Sequence, residues 1–225
     1  MADKSSIDLV MIDDQSTIIA LMKVALKSLG YGRLEAAKNG KEGLELIRRI
    51  QPNVVICDIN MPGMNGLEVL REVRCGNAGA PQALPFIFLT GVTESEVVRV
   101  ALELDANAFM PKPFKPADLD LRLHRVLSRP HPVKPPAAYA SVIPPQVRDP
   151  NAPDEKEAKP PYQRPHGVEK AVKELAEGAV LAVDIRSTLG SVLVSAGMTI
   201  TTPMRDRLSD LVDVGVISPF ARIEG

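Results

Sequence analysis

The chain has 225 residues, 45% of them apolar, and a formal net charge of −1. That length fits one to two globular domains, and the balanced charge argues against a nucleic-acid or anionic-membrane surface. No apolar run approaches the 18 or more residues of a membrane span, the polar start lacks a signal-peptide core, and two cysteines, Cys57 and Cys75, fit a reduced cytoplasmic protein.

Ile7–Ile12 is an apolar run that stops at Asp13-Asp14. Ile18, Leu21, Met22, Ala25 and Leu29 then recur at helical spacing, with Asp14 or Ser16 as cap and Gly30 as stop. A short strand around 33–36 and a helix over about 41–50 follow, the helix closing before Pro52. Val54–Asp58 has no polar face, so it reads as a buried parallel strand ending in a carboxylate. Leu67, Leu70 and Val73 give the next helix its apolar face, and 75–85 is a long loop. Phe86–Leu89 is another buried strand, ending at Thr90. A helix over 94–104, a strand at 108–110, Lys112-Pro113 and a helix over 116–127 complete the series. Five strands alternating with five helices predict α/β architecture, a doubly wound parallel sheet covered on both faces.

From Arg129 the texture changes. Most of the chain's 20 prolines fall between 130 and 165, a density that argues against helix and central strand. Residues 129–165 are expected to be a spacer, partly polyproline II. Beyond it, 166–225 reads as a small α+β module: helical character over 168–176, a strand over 179–185, a turn at 187–190 and a partner strand at 191–194. A helix capped by Thr201 or Thr202 runs to Val214, and 216–223 gives a last strand limited by Pro219. A unit of that size has a marginal core and is expected to pack on a second copy of itself or on the first domain.

In a doubly wound sheet the strand C-termini crowd one edge, where ligands bind. Asp13, Asp14, Asp58, Thr90 and Lys112 all belong to that edge. Two carboxylates about 4 Å apart repel by roughly 4 kcal/mol at an effective dielectric near 20. Such a cluster must protonate, be neutralised by Lys112 or bind a cation, and hard oxygens on an open site suit Mg2+.

Asp13-Asp14, Asp58 followed by Met61-Pro62-Gly63 and Asn65-Gly66, Thr90, and Lys112-Pro113-Phe114 together resemble the receiver domain of two-component response regulators over about residues 6–128. The resemblance implies a flavodoxin-like sheet and a phosphoacceptor, Asp58, loaded from a histidine kinase or phosphotransfer protein. It implies Mg2+ held by Asp13, Asp14, Asp58 and the backbone carbonyl of Asn60. Lys112 would pair with the phosphoryl oxygens, the Thr90 hydroxyl would bond one of them, and Phe109, the switch aromatic, would swing inward. Gly91 stands where the family more often has Ala, and Asp105-Ala106 where Gly-Ala is common. Asp tolerates the left-handed conformation better than most residues.

The spacing of Gly178-Ala-Val-Leu-Ala-Val-Asp184-Ile185, Gly190-Ser-Val-Leu-Val and Ala196-Gly197 resembles a small segment found beside HD-GYP phosphodiesterase domains. The phosphodiesterase motifs are missing, since none of His124, His131 and His166 is followed by Asp and no Gly-Tyr-Pro occurs. Asp184 and Arg186 read as a turn-flanking surface pair. The expected function is a phosphorylation-switched regulator that is not an enzyme at its output. Its module 166–225 would bind an unknown protein partner or build a homodimer, without nucleic acid or membrane. Three alternatives stand beside it: a DNA-binding regulator, a cyclic-dinucleotide-linked regulator, and a phosphate sink or scaffold.

Overall fold

Four apolar runs and one half-buried stretch form a single parallel sheet in the computed structural model, which describes residues 3–91, 95–129, 131–145 and 167–224. The strands are β1 (Leu9–Ile12), β2 (Leu34–Ala37), β3 (Val54–Asp58), β4 (Phe86–Thr90) and β5 (Ala108–Pro111), in the order β2-β1-β3-β4-β5. Each neighbouring pair is parallel. β1, β3 and β4 are buried along their whole length, which is why they read as unbroken apolar runs. β2 lies at the edge and is mostly half-buried.

Helices α1 (Ser16–Ser28), α2 (Gly40–Ile50), α3 (Gly66–Arg74), α4 (Ser95–Glu103) and α5 (Pro116–Leu127) alternate with the strands. Leu9, Met11, Val54 and Ile56 share one core with Met22 of α1 and Leu119 of α5. Alternation along a strand sends the residues between them to the opposite face. There Ile12 packs so closely on α2 that a Cβ on Gly43 would lie 2.4 Å from its Cδ1. This is the flavodoxin-like, doubly wound sheet that the sequence predicts, with its topological switch between β1 and β3.

Local ends differ in places. Neither Asp14 nor Ser16 caps α1; its N-cap is Gln15, without a side-chain bond. The Gln15 N–H donates instead to Asp13 Oδ1 at 2.9 Å, which ties the helix start to the acidic edge. Asp105 takes a φ of 53°, the left-handed conformation that its position asks of it.

The proline-rich stretch carries more structure than a spacer needs, as far as it is described. Residues 146–166 lie outside the described residues. Residues 131–145 lie on the sheet unit, and Pro136–Ala140 forms a short helix, α6, with Tyr139 fully buried. Proline density argues against helix here, yet Pro136 opens α6 in its first turn, where the missing N–H has no helical partner to lose.

The C-terminal unit is small and mixed. Strand β6 (Val168–Ala171) is followed by β7 (Ile185–Arg186), β8 (Val192–Val194), helix α7 (Thr202–Val214) and β9 (Phe220–Ile223). β6 pairs antiparallel with β9, and β7 with β8. The helical character expected over 168–176 is corrected to a strand and a short 3-10 turn, Val172–Glu174. The partner of β6 lies some fifty residues along the chain, so no local pattern announces it. The strand expected over 179–185 reduces to isolated bridges at Val180 and Leu181 and to β7. α7 matches its signals: Thr201 Oγ1 accepts the Met204 N–H at 3.3 Å, and Gly215 closes the helix at φ 81°. Leu175, Leu181, Ile200, Leu208 and Leu211 fill the interior, while Asp184 and Arg186 form a half-buried ion pair at 2.6 Å. Among the described residues, no helix is long and apolar enough to cross a membrane.

Candidate active site

The C-terminal edge of the sheet gathers the charged residues. Asp13 follows β1, and its N–H bonds the Ala37 carbonyl of β2 at 3.1 Å, so the ladder fixes where its side chain emerges. Asp58 is the last residue of β3 and only 4% exposed; Asp13 is fully buried and Asp14 exposed. Their carboxylates each offer an oxygen within 4.8 Å of the others. Lys112 Nζ enters this group, 2.7 Å from Asp13 Oδ2 and 3.0 Å from Asp58 Oδ2. Its own N–H donates to the Thr90 carbonyl at 3.0 Å, so the ammonium and the Thr90 hydroxyl belong to adjoining strand ends. The Lys112-Pro113 peptide is cis.

Electrostatics follow from that packing. Burial is the largest influence on Asp58 and raises its pKa to about 6; the nearby Lys112 charge and the Asn60 N–H pull the other way, while Asp13 adds to the rise. Burial of Lys112 disfavours its charge, but its hydrogen bonds and attraction to Asp13 and Asp58 outweigh this and hold the pKa above the ordinary value. One cation therefore offsets two buried carboxylates, with Asp14 beside them. All the donors are hard oxygens on an edge open at Asp14, which fits an octahedral ion that keeps part of its water shell.

The loop after Asp58 is pinned at its far end. Asn65 Oδ1 accepts the Glu68 N–H at 3.0 Å while Glu68 Oε2 accepts the Asn65 N–H at 2.8 Å, a reciprocal capping box. Gly66 then passes so close that a Cβ would lie 2.2 Å from the Asp58 carbonyl oxygen. Only glycine lets α3 start directly behind the carboxylate. Phe109 lies on β5. Its ring is fully buried, 6.1 Å from that of Phe88, and Arg122 Nε of α5 donates to its carbonyl at 2.7 Å. The ring is thus already buried in this structure, before any phosphoryl group is present.

Three residues escape the sequence reading in their structural roles. For Asn65 the sequence holds a signal, since Asn-x-x-Glu before an apolar run is a helix-start pattern. Arg74, fully buried, and Arg122, 4% exposed, carry no such signal, because an arginine on an amphipathic helix reads as surface.

A five-stranded parallel sheet of order 2-1-3-4-5 with an acidic pocket at its C-terminal edge defines the receiver class of domain. Residues 9–124 match the response regulator receiver domain family, and the chain belongs to it. It is 33% identical over 121 residues to "Probable transcriptional regulator ycf27" of Porphyridium aerugineum, covering 54% of this chain and 48% of that protein. The chain thus spans about half the length of the curated relatives it matches. A protein of Chloroflexus aurantiacus J-10-fl, assigned to the response regulators, superposes with a TM-score of 0.50 at 29% identity, over 55% of this chain and 98% of that one. The receiver domain of a sensor histidine kinase from Pseudomonas aeruginosa PAO1 shares the fold at 24% identity and a TM-score of 0.50, covering 55% and 98%; its structure has a magnesium ion coordinated in the active site cleft.

Proposed function

We propose that Asp58 accepts a phosphoryl group from the phosphohistidine of a kinase or phosphotransfer protein, and that this switches a protein-binding surface. The observation that carries the reading is the meeting of Asp13, Asp14, Asp58 and Lys112 at one sheet edge. A carboxylate oxygen of Asp58 attacks phosphorus, the phosphorus–nitrogen bond breaks, and the electron pair leaves on the imidazole, which picks up a proton. With a pKa near 6, Asp58 is mostly ionised at neutral pH and so available as the nucleophile. Lys112 turns from the carboxylates to the phosphoryl oxygens, and Thr90 donates its hydroxyl to one of them. Phosphoryl transfer asks a protein mainly for positioning and charge neutralisation, which these residues supply. Mg2+ would be held by Asp13, Asp14, Asp58 and the Asn60 carbonyl, and would neutralise charge on the phosphoryl group. The test is incubation with Mg2+ and a small acyl phosphate, the label then being located by mass spectrometry.

The metal role has its own expected result. Changing both Asp13 and Asp14 to Asn removes two of three anionic ligands. Calorimetric titration should then show Mg2+ affinity lowered by at least about tenfold, the loss that removing even an outer-shell partner of a metal ligand brings. Unchanged affinity places the ion elsewhere.

The output is expected to run through α4, β5 and α5. Thr90 leads into α4, and Arg122 ties α5 to the Phe109 backbone. Val100, Ala101 and Leu104, in the second half of α4, are buried. Hydrogen exchange with and without a beryllofluoride phosphate mimic should therefore change protection across 95–127. A change confined to the loop after Asp58 would instead favour a phosphate sink. The unit 167–224, outside the family match, is read as a protein-interaction or dimerisation module, and the location as cytoplasmic. The similarity to a transcriptional regulator spans 121 residues, about the length of the receiver match, so it lends no support to DNA binding by the remainder.

A further inference from the structure

Residues 131–145 lie against the receiver unit at two separate points. At the first, the fully buried Tyr139 donates its hydroxyl to Asp105 Oδ2 at 2.8 Å and accepts the Lys134 N–H at 2.7 Å. Lys134 Nζ reaches the Glu103 carbonyl at 3.0 Å and Asp105 Oδ2 at 3.3 Å, while Gln82 Nε2 bonds the Lys134 carbonyl at 2.8 Å. This point grips the C-terminal turn of α4. At the second, Arg71 Nη2 bonds the Ala140 carbonyl at 2.8 Å and Asn65 Nδ2 bonds the Pro145 carbonyl at 3.0 Å. This point grips α3 at its N-cap, Asn65, and at Arg71 in its second turn.

We propose that 131–145 is a strap that holds the receiver unit in its unphosphorylated geometry and undocks as Asp58 is loaded; the proposal rests on the phosphoacceptor reading. The strap grips the two helices that follow β3 and β4, the strands ending in Asp58 and Thr90. Asn65 precedes the glycine that touches the Asp58 carbonyl, so a shift of the Asp58 loop reaches the strap within two residues. A shift of α4 toward a phosphoryl-bound Thr90 pulls on Glu103 and Asp105 at the other point. A ligand moves an equilibrium only by its differential contacts with two states. Here the strap contacts exist in the state where Lys112 is engaged by Asp13 and Asp58, and either movement strains them. One buried ring and a few partly exposed hydrogen bonds also make the strap an element that opens well below global unfolding.

The experiment uses the full chain with beryllium fluoride and Mg2+. Hydrogen exchange at Lys134, Ala138 and Val142, whose N–H groups bond within the strap, should quicken by at least about threefold on adding the mimic. By reciprocity, weakening the strap should lower the beryllofluoride concentration at half-saturation by at least about threefold. Tyr139→Phe keeps the ring and removes both hydroxyl bonds. Asn65→Ser keeps an N-cap oxygen and withdraws the reach to Pro145. Wild-type exchange needs no variant, so a variant that failed to fold would not remove the test. Binding of the mimic with unchanged strap exchange would make the strap a passive brace and overturn the proposal. So would variants that bind the mimic more weakly. Absence of any binding by the wild type would overturn the phosphoacceptor reading, and the strap proposal with it.

Discussion

With Asp58 replaced by Asn, transfer of label from a small acyl phosphate should fall by at least about 100-fold, or some 2.7 kcal/mol in activation free energy. An amide oxygen is neutral and a poor nucleophile, while its shape keeps the site packed. Asp13 is not a ready substitute, because Gln15 N–H and Lys112 already engage its two oxygens at 2.9 and 2.7 Å inside a fully buried position. Asp14 is exposed and lies outside the strand ladder, without a fixed line of approach. Mass spectrometry of the labelled wild type should therefore find the group on Asp58, and the Asn variant should stay unlabelled under the same conditions. Full labelling of the variant, or wild-type label on another carboxylate, would remove Asp58 from its proposed role.

The site was legible because burial and chemistry coincide at strand ends. Val54–Asp58 and Phe86–Thr90 are apolar until their last residue, and a polar residue there can only emerge at the sheet edge. Asp105 was legible for a different reason: few residues accept its left-handed backbone. What the sequence concealed depends on distant partners. The start of α1 is set by an N–H bond to Asp13, a residue read as a ligand rather than an anchor. Strand β6 exists because β9 lies beside it, and its own residues carry a helix-like pattern. Residues 131–145 look like a solvated spacer until Asp105, Glu103 and Asn65 are brought within hydrogen-bond reach of them. Their prolines describe backbone freedom, not the surface the backbone lies on.

Arg74 is the sharpest case of such concealment, and its removal should be the costliest single change to stability. From the last residue of α3 its guanidinium donates to the carbonyls of Leu104 at 3.2 Å, Gln82 at 2.6 Å, Leu84 at 3.0 Å and Asp105 at 3.0 Å. A fifth bond, at 3.0 Å, goes to Asn107 Oδ1, which also takes the Phe86 N–H at 2.7 Å. One side chain thus closes the long 75–85 loop onto the α4–β5 turn and the first residue of β4. Five acceptors fixed in place around a planar fork suit Arg and no other residue. Hydrogen bonds to a charged group contribute about 1.5–3 kcal/mol each, and an orphaned buried carbonyl costs about 1–3 kcal/mol. Because the loops can relax toward water, the terms do not add, and Arg74→Ala should cost about 3–5 kcal/mol, a large part of the 5–15 kcal/mol of a typical domain. Arg74→Met should recover little, since it fills the space and leaves the carbonyls unpaired. Urea unfolding with the slope compared between variants would measure both. A loss under about 1 kcal/mol for Arg74→Ala would mean that the loop holds its shape without the guanidinium, and that the five bonds follow the fold instead of maintaining it.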